Sequence, residues 1–306
     1  MEEVSTLKIV VTGGLGFIGS HVVDRYVALG HEVVVIDNLS TGSLLNMNPE
    51  ARLTVMDLLD DELEAWLCRE KPDLLNHHAA QVNVRASVAD PALDLRINLL
   101  GTARLLHAAG HAGVKRVLFS SSGGTVYGHT PSMAIPETYH GMPISPYGIH
   151  KLACEQYVDF YSRVFGYEWV ILRYANVYGP RQNPHGESGV ISIFMERLRQ
   201  GLPPRVNGDG TQVRDYVHVS DVAEANMLLS APGAPSRDVY NVGTGHGTTL
   251  LQLLELLSKH FPNAPAPVFG SPQLGDLSWN VLRTDKLKAQ GWKPMVGLEK
   301  GLYELA

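Results

Sequence analysis

Lys8-Ile9-Val10-Val11-Thr12-Gly13-Gly14-Leu15-Gly16-Phe17-Ile18-Gly19 is an apolar run that ends in glycines at positions 13, 16 and 19. Residues 7–12 predict a short buried strand. A helical pattern follows at 20–29, then a second apolar run at 32–36 that ends in Asp37. Glycines let the backbone turn tightly and approach a pyrophosphate, which sits on free N–H groups at a helix N-terminus. A lone Gly-x-Gly-x-x-Gly is a weak signal, but strand, glycine turn, helix, strand and acid in this order predict a dinucleotide site. Asp37 lies 18 positions after Gly19, where a carboxylate can accept bonds from both adenosine ribose hydroxyls. That favours NAD over NADP, because a 2′-phosphate would be repelled.

Strand and helix signals then alternate. Strands are predicted at 52–55, 74–77 and 115–120, and helices at 60–71, 93–113 and 147–165. The alternation predicts an α/β fold: a doubly wound parallel sheet of the Rossmann type. Asp57 either caps its strand end or touches an adenine. From about residue 176 the loops lengthen. Helices are predicted at 190–200 and 219–230, and short strands at 205–206 and 214–217. Residues 239–242 read as a parallel strand returning to the large sheet. The expected organisation is a dinucleotide domain over 1–175 with return segments near 215–247. A smaller substrate lobe, mainly 176–306, is interleaved with it.

Composition limits the partners. The 306 residues are 44% hydrophobic and 18% charged, with a formal charge of −6 and no Lys/Arg block. Neither nucleic acid nor an anionic membrane is indicated. No stretch is long and apolar enough for a membrane span, and no signal-peptide pattern opens the chain. Cys68 and Cys154 have no metal-like or redox-like spacing and suit a reduced cytosol. No metal ligand set is assigned.

Ser145-Pro146-Tyr147-Gly148-Ile149-His150-Lys151 sets Tyr147 and Lys151 one helical turn apart on a common face. A free phenol, with a pKa of about 10, is a poor base at neutral pH; a nearby ammonium favours the phenolate. The pair suits removal of a proton from an alcohol while hydride leaves the same carbon. Alone it also occurs on many solvated helix faces. Its place beside the strand end at Ser120-Ser121-Ser122 is what makes it informative, because ligands of such sheets bind at the C-terminal ends of strands.

Taken together, these motifs resemble the extended short-chain dehydrogenase/reductase (NAD-dependent epimerase/dehydratase) family, and within it the UDP-glucose 4-epimerases and related UDP-sugar 4-epimerases. The carriers include the glycine stretch, Asp37-Asn38-Leu39-Ser40-Thr41-Gly42, His78-Ala79-Ala80-Gln81 and Ser121 to Gly128. Further on they are Tyr147, Lys151, Arg173 to Arg181, Arg214 to Ala223 and Tyr240 to Gly245. The resemblance implies a UDP-hexose held between an NAD domain and a smaller lobe. Tyr147 would take the proton of the sugar 4-hydroxyl and Ser122 would hold the 4-oxygen. Lys151 would bond the nicotinamide ribose and, with the cationic nicotinamide, lower the Tyr147 pKa. NAD contacts are implied for Gly13, Gly16, Phe17, Ile18, Asp37, Asn38, Ser40, Thr41, Gly42, Asp57, Leu58, Ala79, Ala80, Gln81, Asn98, Ser120 and Tyr174. Substrate contacts are implied for Thr125, Asn176, Val190, Arg214, Asp276 and Asn280. A homodimer through the helices near 93–113 and 147–165 is also implied.

Three departures from the family pattern matter. Counted from the strand 117–119 the catalytic hydroxyl is Ser122; counted back from Val126 the place falls on Gly123, so Ser121 and Thr125 remain alternatives. Gln273 replaces an Arg that would bond the diphosphate, which removes one charge-assisted bond. Asn280 stands where glucose-selective members carry a bulky Tyr, which leaves room for UDP-N-acetylhexosamines. The nearest rivals are a 4,6-dehydratase or decarboxylase-type lyase and a UDP-glucuronate 4-epimerase. Dehydratases carry an Asp-Glu pair just after the Ser/Thr, and this chain has Gly123-Gly124-Thr125 there. A non-catalytic NAD-binding regulator would typically have lost Tyr147 or Lys151. A net oxidoreductase with exchangeable NAD is told apart by whether the purified protein already carries NAD.

Overall fold

A computed structural model describes residues 6–184, 189–272 and 277–305. Seven parallel strands form the main sheet: β1 (Lys8–Thr12), β2 (Glu32–Asp37), β3 (Arg52–Val55), β4 (Leu74–His77), β5 (Arg116–Ser122), β6 (Glu168–Tyr174) and β7 (Asp238–Val242). Their spatial order is 7-6-5-4-1-2-3. The order reverses between β1 and β4, and a crevice for a ligand opens at such a switch point. The central strands carry apolar runs such as Ile9–Val11 and Val33–Ile36 because helices cover both faces of the sheet, while edge strand β3 is partly exposed. One core layer holds Ile9, Val11, Val22, Tyr26 and Val170, and the other holds Val10, Val34, Leu67, Leu105 and Phe119.

The flanking helices are α1 (Phe17–Ala28), α2 (Leu63–Glu70), α3 (Gly101–His111), α4 (Pro146–Phe165) and α5 (Val219–Ser230). Ser145 starts α4: its hydroxyl accepts the Gly148 N–H, with Pro146 in the first helical position. Proline suits that place because its missing N–H would have no partner there. Gly166 ends α4 in the left-handed region at φ 85°.

Two departures from the sequence reading position the site. The helix expected over 93–113 is interrupted: a helical turn at Pro91–Asp94 passes into a π-helix at Leu95–Leu100, and regular α-helix resumes at Gly101. The wider turn holds Asn98, which is clamped on both its polar sides (below); π-turns often mark such local demands. Second, no strand was expected between Phe165 and Asn176, yet β6 lies inside the sheet. It pairs along β5 from Arg116↔Glu168 to Ser122↔Tyr174, and so carries β5 two residues beyond its expected end.

The smaller lobe is built on Val213–His218. Asn176–Tyr178 and Trp279–Asn280 pair with it in parallel and Gly247–Thr249 antiparallel. Arg205–Asn207 pairs with Val268–Gly270 in a separate ribbon. Its apolar centre includes Tyr178, Phe194, Leu198, Tyr216, Leu253 and Leu302.

Candidate active site

The glycine turn joins β1 to α1 at the switch point. Gly13 sits at φ 65°, and a Cβ there would lie 2.7 Å from the Ala79 nitrogen. A Cβ on Gly19 would lie 2.2 Å from the Gly13 carbonyl oxygen, and one on Gly16 at 3.2 Å from it. Backbone therefore approaches backbone here, which only glycine allows. α1 starts at Gly16 without a side-chain cap, so its first N–H groups are left for an anion. Asp37, at the end of β2, accepts Leu15 N–H at 3.1 Å and Leu39 N–H at 2.9 Å. Gly42 passes over it, where a Cβ would lie 2.6 Å from its carboxylate. These residues fit a pyrophosphate on the turn and a ribose beside a carboxylate. Asn38, Ser40 and Thr41 line the exposed rim, with Ser40 bonded to Asn38. Asp57 accepts Asn38 Nδ2 at 2.6 Å and Leu59 N–H at 2.9 Å, so it caps its strand end. Phe17 and Leu58 are buried.

Ser122, Tyr147 and Lys151 come together where β5 ends against α4. Tyr147 is 8% exposed and Lys151 5%. Burial, and secondarily the Asp94 carboxylate, pushes the Tyr147 phenol above its ordinary value, while a hydrogen bond with Ser122 pulls it back. Burial pulls the Lys151 ammonium down to about 8. Its Nζ donates to Ser120 O at 2.7 Å and lies 5.9 Å from the Tyr147 ring centroid. The resemblance implies that Lys151 and the cationic nicotinamide together lower the phenol pKa. Burial dominates the phenol here, so the phenolate requires positive charge beside it.

The strand pleat separates the serines. Ser121 Oγ points to the other face and donates to Glu155 Oε1 at 2.5 Å. Glu155 is also held by Arg173 at 2.9 and 2.6 Å. Thr125 lies beyond the turn, its Oγ1 buried without a partner. Of the three alternatives, Ser122 is the one beside Tyr147.

Several residues behind this group were not singled out from the sequence. Asp94 is 1% exposed. It accepts His150 Nδ1 at 2.5 Å, Gln81 Nε2 at 2.7 Å and Asn98 Nδ2 at 2.9 Å. Asn98 also exchanges bonds with the backbone of Gln81, at 2.8 and 2.9 Å. Gln81 and Asn98 thus tie the segment after β4 to the Pro91–Leu100 helical stretch. Asp94 and His150 lie 56 positions apart, and no local pattern links them. On the sheet side, His78 Nδ1 meets Ser120 Oγ at 2.9 Å, and Ser120 Oγ donates to Tyr174 OH at 3.3 Å.

Polar atoms without partners occur on both the sheet side and the lobe side. Thr125 Oγ1, Asn176 Nδ2, Asn280 Oδ1 and His78 Nε2 are buried without hydrogen-bond partners. Asn280 donates from Nδ2 to Gly123 O at 2.9 Å, and its strand neighbour in register is Arg214. Asp215 is not arranged as a simple surface partner of Arg214: it is fully buried and accepts Thr244 N–H, Thr244 Oγ1, Gly245 N–H and Leu282 N–H. Val190 begins the helix Val190–Arg199. Gln273 and Asp276 lie outside the described residues. A Cβ on Gly123 would lie 2.5 Å from Leu282 Cδ1, so a side chain after Ser122 would have to displace Leu282.

Comparison with known proteins agrees with this geometry. The family model "NAD dependent epimerase/dehydratase family" matches residues 9–243. The UDP-glucose 4-epimerase of Mycolicibacterium smegmatis is 40% identical over 304 residues, which covers 97% of this chain and 96% of that one. The crystal structure of the Thermotoga maritima UDP-glucose 4-epimerase with UDP-glucose superposes with a TM-score of 0.94 at 44% identity, covering 97% and 96% of the two chains. The UDP-N-acetylglucosamine 4-epimerase of Methanobrevibacter ruminantium, solved with UDP-N-acetylmuramic acid, gives 0.91 at 35% identity over 98% and 97%.

Proposed function

The chain belongs to the NAD-dependent epimerase/dehydratase family, and from that premise we propose that it is a UDP-sugar 4-epimerase interconverting UDP-glucose and UDP-galactose. The observation that carries the reading is the meeting of Ser122, Tyr147 and Lys151 at the end of β5, across the switch point from the glycine turn. NAD, when bound, supplies the hydride acceptor and donor for sugar C4 and a cationic ring near the phenol. Gly13, Gly16 and the start of α1 hold its pyrophosphate, and Asp37 its adenosine ribose.

Tyr147 takes the proton from the sugar 4-hydroxyl and later returns it to the 4-oxygen. Ser122 holds that oxygen in both directions. The Lys151 ammonium shares the pocket and favours the phenolate. The 4-keto sugar then presents its other face, so the configuration at C4 inverts with no net oxidation. Thr125, Asn176, Arg214 and Asn280 bind the UDP-sugar on the lobe side. Asn280 leaves space beside C2, and UDP-N-acetylhexosamines are accepted as well.

The dehydratase reading needs an acid and a base beside the 4-oxygen. Positions 123 and 124 are glycines with no carboxylate, and the nearby carboxylates of Asp94 and Glu155 are engaged by their own donors. The finer assignments are also part of this proposal. The enzyme works in cytoplasmic galactose metabolism, in keeping with two free cysteines. It forms a homodimer through a face where Ile97, Leu100, Ile149, Tyr157, Phe160 and Val164 are all exposed.

The test is incubation of the purified protein with UDP-galactose and no added NAD, followed by proton NMR. The anomeric signal of UDP-glucose is the expected result. A 4-keto-6-deoxy product from a nucleotide-activated glucose, without the epimer, would overturn the assignment.

A further inference from the structure

We propose that Glu64, His107 and His111 form a surface site for a divalent transition-metal ion of the zinc class, tying α2 to α3. Glu64 stands in the first turn of α2. His107 and His111 are four residues apart on α3, so both imidazoles lie on one helix face. His111 Nδ1 is 2.7 Å from Glu64 Oε1, and His107 Nδ1 is 3.6 Å from Glu64 Oε2. The three ligating atoms all lie within 4.8 Å of one another.

Two ligands bonded at ~2.0–2.1 Å to a tetrahedral ion are about 3.3 Å apart. The His111–Glu64 separation must open by about 0.6 Å and the His107–Glu64 separation close by about 0.3 Å, with the carboxylate turning between the imidazoles. All three side chains are between two-fifths and one-half exposed and can make that adjustment. The imidazoles are not loose, however. Phe165 stands edge-on to both, at centroid distances of 5.8 and 5.2 Å, and Tyr161 stands edge-on to His107 at 5.9 Å. This aromatic backing keeps both Nδ1 atoms on the Glu64 side. Glu64 and His107 also line a cavity of about 280 Å³, room for an ion and its remaining water ligands.

The nearest cation, Arg104, is turned to Asp60 O and Asp61 at 3.0 and 3.3 Å. Two imidazoles and a carboxylate favour Zn²⁺, Ni²⁺ or Cu²⁺ over Mg²⁺ and Ca²⁺. His111 precedes the first residue of β5, whereas Ser122 is its last, so His111 lies toward the opposite end of that strand from the catalytic group. The site's role is therefore to fasten helices, and the inference does not depend on the epimerase reading.

The untagged protein, stripped with a chelator, is dialysed against Zn²⁺ and separately against Mg²⁺, and its melting temperature is measured with and without each ion. Zn²⁺ is expected to bind and to raise the melting temperature; Mg²⁺ is expected to do neither. Glu64→Gln, His107→Ala and His111→Ala should each weaken Zn²⁺ binding by roughly tenfold or more, while metal-free melting and turnover stay at wild-type values. Equal Zn²⁺ binding by wild type and a His107→Ala/His111→Ala double variant would overturn the proposal, as would the absence of Zn²⁺ binding to the wild type.

Discussion

The two faces of the β5 terminus differ in how their polar groups are satisfied. On one face, Ser121, Glu155 and Arg173 close a buried network. On the other, Ser122 meets Tyr147, and Thr125, Asn176 and Asn280 each keep a buried polar atom that has no partner. Burying a polar atom unpaired costs about 1–3 kcal/mol. The contrast sets a closed network against atoms that the proposed substrate would satisfy, although adjacent positions of one strand lead to both.

Tyr147→Phe is the strongest way to break the comparison. It should lower turnover by about 10⁴-fold, equivalent to ~5 kcal/mol of barrier, with little change in stability. Epimerisation of UDP-galactose followed by NMR, with a thermal melt alongside, checks both parts. Retained turnover would remove Tyr147 from the chemistry.

Arg173→Met probes the opposite face. It leaves the Glu155 charge buried and unpaired, and the expected loss is roughly 3–5 kcal/mol in urea unfolding. A loss below about 1 kcal/mol would mean that this network is solvated in solution.

Lys151→Met tests the cost of the ligand-facing side. The folded pKa of Lys151 is depressed from 10.5 to about 8 by burial. Below pH 8 both folded and unfolded chains hold the proton, and the fold carries the whole cost of a buried ammonium. Between about 8 and 10.5 the folded state sheds it first, and the cost is relieved. The variant should therefore be more stable than wild type by up to about 3 kcal/mol below pH 8, while being catalytically impaired. That gain should vanish as pH approaches 10.5. Denaturant titrations across pH 7–10.5 give the answer, and a constant difference would refute the linkage.

The smallest effect is the sharpest. Asn176→Ala removes a polar atom that the fold does not use, so stability should stay within about 0.5 kcal/mol of wild type. KM for UDP-galactose should rise about tenfold, equal to ~1.4 kcal/mol of lost binding. In the same series Asn280→Tyr should suppress turnover of UDP-N-acetylgalactosamine while UDP-galactose is still converted.

Much of this architecture follows from local rules. The glycines at 13, 16 and 19, the acid at 37 and the Tyr147/Lys151 spacing are short-range signals. Turn geometry and helical periodicity act within a few residues, so they survive in the linear chain. β6 was not assigned, although Trp169 to Leu172 is a continuous apolar run. Arg173 interrupts that run with a charge, and its partners Glu155, Tyr127 and Glu137, all distant in the chain, account for its burial.

The sequence by itself determined the doubly wound sheet, the glycine turn and the Tyr147/Lys151 spacing. The tertiary structure decided which hydroxyl meets Tyr147. β5 reaches Ser122 because β6 pairs with it that far, and the pleat then sends Ser121 and Ser122 to opposite faces. It also brought Asp94 to His150, and Glu64 to His107 and His111. These contacts span tens of residues between separate elements. Their energy lies in desolvation and in partners supplied by the packed fold, and neither is written into the spacing of a single segment.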